Sequence, residues 1–83
     1  MQADYNVCGT DRKVIKSDSV DITSVDSWKA LVQSFGLSKR QFVLFEFVCT
    51  PADLIASVRA LRAALGNNFN VTQSGCIISI EKK

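Results

Sequence analysis

Apolar and polar positions alternate with two different periods along this chain, and each period predicts an element. From 41 to 49 the run Gln-Phe-Val-Leu-Phe-Glu-Phe-Val-Cys is rich in aromatic and β-branched side chains and too short for an independent helix, so it predicts a central strand. Both alternating faces are apolar: Val43, Phe45, Phe47 and Cys49 on one side, Phe42, Leu44 and Val48 on the other, with Glu46 the single charge. Such a strand is either covered on both faces or presents one of them as a binding surface. Leu54, Val58, Leu61 and Leu65 instead fall on one helical stripe, preceded by Thr50 as a capping hydroxyl, Pro51 at the first helical position and Asp53 in the first turn. Gly66 follows where a helix closes, which predicts a helix over 51–65. An earlier helix starts after Thr23 or Ser24, carries Asp26 in its first turn and ends at Gly36. Val25, Trp28, Leu31, Val32 and Phe35 share its face, and Leu37 is placed for a closing hydrophobic contact.

The remaining segments read as strands. Asn68 to Thr72 and Cys76 to Glu81 flank Gln73-Ser74-Gly75 as a hairpin. Tyr5 to Cys8 and Arg12 to Lys16 flank Gly9-Thr10-Asp11 as another, with Ser19 to Ile22 extending a strand into the first helix. The order β(β)αβαββ predicts a single α+β domain, 1–83, in which two helices pack on a small mixed sheet of four to five strands as a two-layer sandwich. Trp28, Phe35, Phe45, Phe47, Leu54, Val58, Leu61 and Ile78 are expected to meet in one core. This element order is similar, at the level of topology, to the Alba proteins and to the C-terminal domain of bacterial translation initiation factor three, both nucleic-acid binders. The resemblance implies a fold order and offers nucleic acid as a partner class.

Composition narrows the chemistry. Apolar residues are 47% and charged residues 22% of the chain, as in a globular fold. Ten basic and eight acidic side chains give a net charge of +2, too balanced to announce nucleic acid. With no histidine, imidazole metal ligation and histidine-dependent nucleophilic catalysis are excluded. Three widely spaced cysteines, Cys8, Cys49 and Cys76, form no Cys-x-x-Cys pair, and reduced thiols in the cell interior are the expectation. No apolar run approaches the length of a membrane span, and the opening residues have neither the basic nor the apolar region of a targeting segment. A cytoplasmic protein is expected.

Few residues carry candidate chemistry. Cys49 precedes the second helix, where the dipole favours a thiolate, as in the small sulfur carriers. Cys49-Thr50-Pro51-Ala52 nevertheless differs from their Cys-Pro-x-Pro motif, and a strand-end structural cysteine is the simpler reading. Glu46 is expected to reach Arg59 or Arg62, or to face solvent, rather than to act as a catalytic acid. Asp18 and Asp21 read as turn and helix-entry residues bonding their own backbone. The four glycines are isolated and form no phosphate loop. Arg12, Lys13, Lys39 and Arg40 form a loose basic set that meets a phosphate backbone if the first hairpin and the loop before the central strand share one end. Ala52, Ala56, Ala60 and Ala63 lie opposite the leucine stripe with Arg59 beside them, a flat surface open to close approach.

No independent enzyme, cofactor or metal is expected. The expected function is that of an interaction module binding a protein partner, or a second copy of itself as a homodimer, through Phe42, Leu44 and Val48 or through the alanine face with Arg59. RNA or DNA binding through Arg12, Lys13, Lys39 and Arg40 is the main alternative, and thiol or sulfur-carrier chemistry at Cys49 is a further one.

Overall fold

The structure, a computed structural model, describes residues 1–9 and 13–83. The described residues form β1 (Gln2–Cys8), β2 (Val14–Asp21), α1 (Val25–Phe35), β3 (Phe42–Val48), α2 (Pro51–Leu65), a short 3-10 turn (Gly66–Asn68), β4 (Phe69–Ser74) and β5 (Ile77–Lys82). The five strands make one sheet in the order β2-β1-β3-β5-β4. Every neighbouring pair is antiparallel, where a mixed sheet was expected. The difference has a topological cause. Strands β2, β3 and β4 do run parallel, each joined to the next by a helix, but the hairpin partners β1 and β5 are inserted between them. Two helical crossovers of the usual right hand, stepping the same way across the sheet, deposit both helices on one face. Accordingly α1 and α2 pack against each other on a single side.

The caps behave as their chemistry requires. Ser24 Oγ accepts a hydrogen bond from the Ser27 amide at 3.2 Å, and Thr50 Oγ1 accepts one from the Asp53 amide at 3.2 Å. Gly36 closes α1 in the left-handed region at φ 55°, and Leu37 folds back onto the core. Between sheet and helices lie Tyr5, Val7, Val43, Phe45, Phe47, Ile78 and Ile80 from the strands and Trp28, Val32, Leu54, Leu61 and Leu65 from the helices. Phe35 and Val58, also expected there, are half-buried against this core. The rings interlock edge to face, with centroids 5.5 Å apart for Tyr5 and Phe45, Trp28 and Phe47, and Phe35 and Phe45. Trp28 is fully buried, and its indole Nε1 donates to the Ile22 carbonyl at 2.8 Å, tying the entry of α1 to its centre. Val25, expected on the same helical face, lies exposed in the first turn.

The first hairpin departs most from expectation. Strand β1 begins at Gln2, and β2 is continuous from Val14 to Asp21 rather than two pieces. A bulge at Ile15 shifts its register, and only Val20 of β2 is buried. Asp18 therefore sits in an edge strand, not a turn, with its Oδ2 4.0 Å from Lys16 Nζ. Arg12 lies outside the described residues.

Phe45→Ala should cost roughly 3–5 kcal/mol of unfolding free energy, because it empties the fully buried centre of the aromatic cluster. Val48→Ala, one face over and 67% exposed, should cost less than about 1 kcal/mol. Urea unfolding of both variants checks the alternation, and equal losses would contradict it. A second prediction concerns acid. Hydrogen bonds from the Met1 ammonium at 2.8 Å, and from the hydroxyl and amide of Thr23 at 2.7 and 3.0 Å, lower the Asp21 pKa to about 2. A depressed carboxyl pKa contributes stability above the unfolded value of about 3.9, and that contribution is lost as pH falls through the folded value. Asp21→Asn should flatten this limb of the acid-unfolding curve, whereas an unchanged acid slope would show that the contacts contribute nothing.

Candidate functional site

Burial of Val43, Phe45 and Phe47 under the helices turns the other side of β3 outward. Phe42, Leu44, Glu46 and Val48 thus lie on the uncovered face of the sheet, with Phe42 45% and Val48 67% exposed and Leu44 half-buried. The strand registers complete the surface. Cys8 lies opposite Leu44, Asn6 opposite Glu46 and Asp4 opposite Val48 on the β1 side. Glu81 lies opposite Phe42, Ser79 opposite Leu44 and Ile77 opposite Glu46 on the β5 side. Val14, paired with Cys8, extends the apolar row onto β2. Cys8, Val14, Leu44, Glu46 and Ile77 line a shallow groove of about 140 Å³.

Polar side chains frame this groove. Ser17 Oγ donates to Asn6 Oδ1 at 2.7 Å, and Asn70 Nδ2 donates to Glu81 Oε1 at 3.3 Å. Glu46 is exposed and has no ion-pair partner among the described residues. The expected bridge to Arg59 or Arg62 is not made, since both arginines belong to α2 on the opposite side of the sheet. Arg62 Nη2 instead donates to the Val71 carbonyl at 3.3 Å.

The expected basic set divides. Lys13 directly precedes β2, beside the end of β1, and Lys39 and Arg40 precede β3 at the same end of the sheet, so the condition set by the sequence is met for these three. Lys82 and Lys83 join them, because the Arg40 amide donates to the Lys82 carbonyl at 2.8 Å. Arg40 holds a left-handed backbone, φ 68°, as the third residue of the turn closed by the Gln41 amide on the Ser38 carbonyl at 2.9 Å. Lys82 Nζ lies 4.6 Å from the centroid of the Phe69 ring, on the helix side of the sheet. Arg62 and Lys83 line a larger, polar depression of about 600 Å³ beside β4. Arg59 stands apart on the outer face of α2, near exposed Ala52, Ala56 and Ala63 and an Ile55 that is 60% exposed. Ala60, expected on that outer face, is half-buried against the core.

The three cysteines are free thiols. Cys76 Sγ donates to the Cys49 carbonyl at 3.1 Å. Burial first, then the neighbouring Cys76 and the Asp53 carboxylate, push the Cys49 thiol up, opposite in direction to the pull of a helix start. Among the described residues no group of three or more Cys, Asp or Glu side chains is arranged to hold a metal ion, and no helix is long and apolar enough to cross a membrane.

The structure brings Phe42, Leu44 and Val48 together, as their spacing in one strand requires. Sequence reasoning missed Asp4, Cys8, Val14 and Glu81 as members of the same surface. Asp4, Cys8 and Glu81 are set there by strand pairing over a long sequence separation, for which a single sequence carries no signal, and Val14 follows through its hairpin partner Cys8. No protein-family model, curated protein or solved structure matches this chain.

Proposed function

We propose that this protein is a non-enzymatic interaction module that binds another protein through the open face of its sheet. The observation that carries this reading is the apolar patch of Phe42, Leu44, Val48, Val14 and Ile77 on the face that neither helix covers. Contiguous exposed apolar surface of this kind is uncommon on monomers without a partner. The groove between Leu44 and Ile77 offers a place for an anchoring side chain, the usual centre of a binding surface. The outer face of α2, with Ile55 and its alanines, is a smaller second surface.

A second reading, binding of RNA or DNA, is favoured by one observation: the topology gathers Lys13, Lys39, Arg40, Lys82 and Lys83 at one end of the sheet. Phosphate contacts there would be released steeply by salt. The open face itself lacks the several stacked aromatics of sheet-type RNA binders, since Phe42 is its one ring among the described residues.

Leu44→Lys separates these possibilities. The variant should stay folded, with unfolding free energy changed by less than about 1 kcal/mol, and should lose the Nile red fluorescence that the wild-type face supports. Unfolding by this single change would make the face internal packing and end the reading. Oligonucleotide binding that persists in Leu44→Lys, and disappears when Lys39 and Arg40 are both changed to glutamate, would move the function to the basic end.

A further inference from the structure

We infer that the partner of the open face is a basic, apolar segment of another protein, in which lysine or arginine alternates with apolar side chains. This rests on the protein-binding reading of that face and adds the chemistry of what it binds. The charges of the five strands divide unevenly, with Asp18 the acid that shares the helix side with the strand cations. Asp4, Glu46 and Glu81 point to the open face. The two strand cations among the described residues, Lys16 and Lys82, both point to the helix side, Lys16 beside Asp18 and Lys82 over Phe69. The face is therefore apolar and acidic, although the chain as a whole carries a net +2.

Register gives the carboxylates a definite layout. Glu81 lies beside Phe42, Glu46 sits two residues beyond Leu44, and Asp4 lies beside Val48. The three descend diagonally from β5 through β3 to β1 over about 20 Å, taking the usual rise of about 3.4 Å per strand residue. Leu44, Ile77 and the groove they share with Val14 and Cys8 lie within that span. A segment that places cations over the carboxylates and apolar side chains over the groove matches both features at once, with opposite charges setting orientation and encounter rate.

The same layout disfavours the other occupants. Two copies stacked face to face would bring two sets of Asp4, Glu46 and Glu81 into one interface, with no strand cation on either face to neutralise them. A phosphate backbone would meet the same repulsion.

Amide chemical shifts in a titration with three probes test this: a short peptide alternating lysine and leucine, its glutamate-and-leucine counterpart, and a single-stranded oligonucleotide. The lysine peptide should move the amides of Leu44, Glu46, Ile77 and Ser79, and its affinity should fall with added salt. Glu46→Lys should weaken it about tenfold or more, with Asp4→Lys as a second variant should the first fail to fold. Failure of the lysine peptide to move these amides, equal binding of the glutamate peptide, unchanged affinity in both lysine variants, or oligonucleotide shifts on the same amides would overturn the inference. A wild-type dimer that Leu44→Lys dissociates would also overturn it, naming a second copy as the occupant while leaving the open-face reading intact. Loss of that reading has its own signature, the unfolding of Leu44→Lys.

Discussion

The aromatic cluster of Tyr5, Trp28, Phe35, Phe45 and Phe47 is the contact on which the rest of the structure depends. Phe45 and Phe47 come from alternate positions of the central strand, so seating both under the helices fixes which way every residue of β3 points. A slip of one residue would drive Glu46 into the core and put both rings in water, a change that no local rearrangement compensates. The register of β3 then propagates outward through its pairing with β1 and β5. The helix-facing side becomes a continuous layer of Ala3, Tyr5, Val7, Val43, Phe45, Phe47, Ile78 and Ile80. The other side receives what remains, and its composition is a direct consequence of that packing.

The helices impose the second constraint. Both crossovers step in the same direction across the sheet, so both helices arrive on one side and the opposite side is left to solvent or to a partner. The central strand, apolar on both faces, is thus covered on one face only. Its exposed members do not form a random scatter of surface hydrophobics, because Leu44 and Ile77 line one groove and Val14 continues it across β1. Around them the strand charges are acidic, while cations collect at the end of the sheet near Lys39 and Arg40. Two chemically distinct surfaces follow, an apolar and acidic face and a basic end.

Much of this was legible in the sequence where local patterns decide the outcome. The caps at Ser24 and Thr50, the closing glycines and the leucine stripe of α2 depend on neighbours within a few residues, and both helices lie where those patterns put them. The two-faced character of β3 was equally plain, and it led directly to Phe42, Leu44 and Val48. What was hidden depends on pairing between distant segments. Strand β2 has a polar run, Lys16-Ser17-Asp18-Ser19, because it is an edge strand whose residues before Val20 are all exposed, so no burial period marks it. Of the two expectations for Glu46, solvent exposure holds and the bridge to Arg59 or Arg62 does not, because parity in the strand sends the side chain to the face opposite α2. Asp4 and Glu81 could not be joined to the site until the registers of β1 and β5 were known.

The central claim is that the face bearing Leu44 is open in the free protein while the face bearing Phe45 is closed. Solvent paramagnetic relaxation of side-chain methyl groups, measured with a soluble neutral gadolinium chelate on the dilute protein, tests it most directly. Strong relaxation of the Leu44, Val48, Val14 and Ile77 methyls, with those of Ile78, Ile80, Leu54 and Leu61 protected, is the result this account predicts. Protection of Leu44 and Ile77 to the same degree as Ile78 and Ile80 would contradict it, since the face would then be covered within the molecule itself.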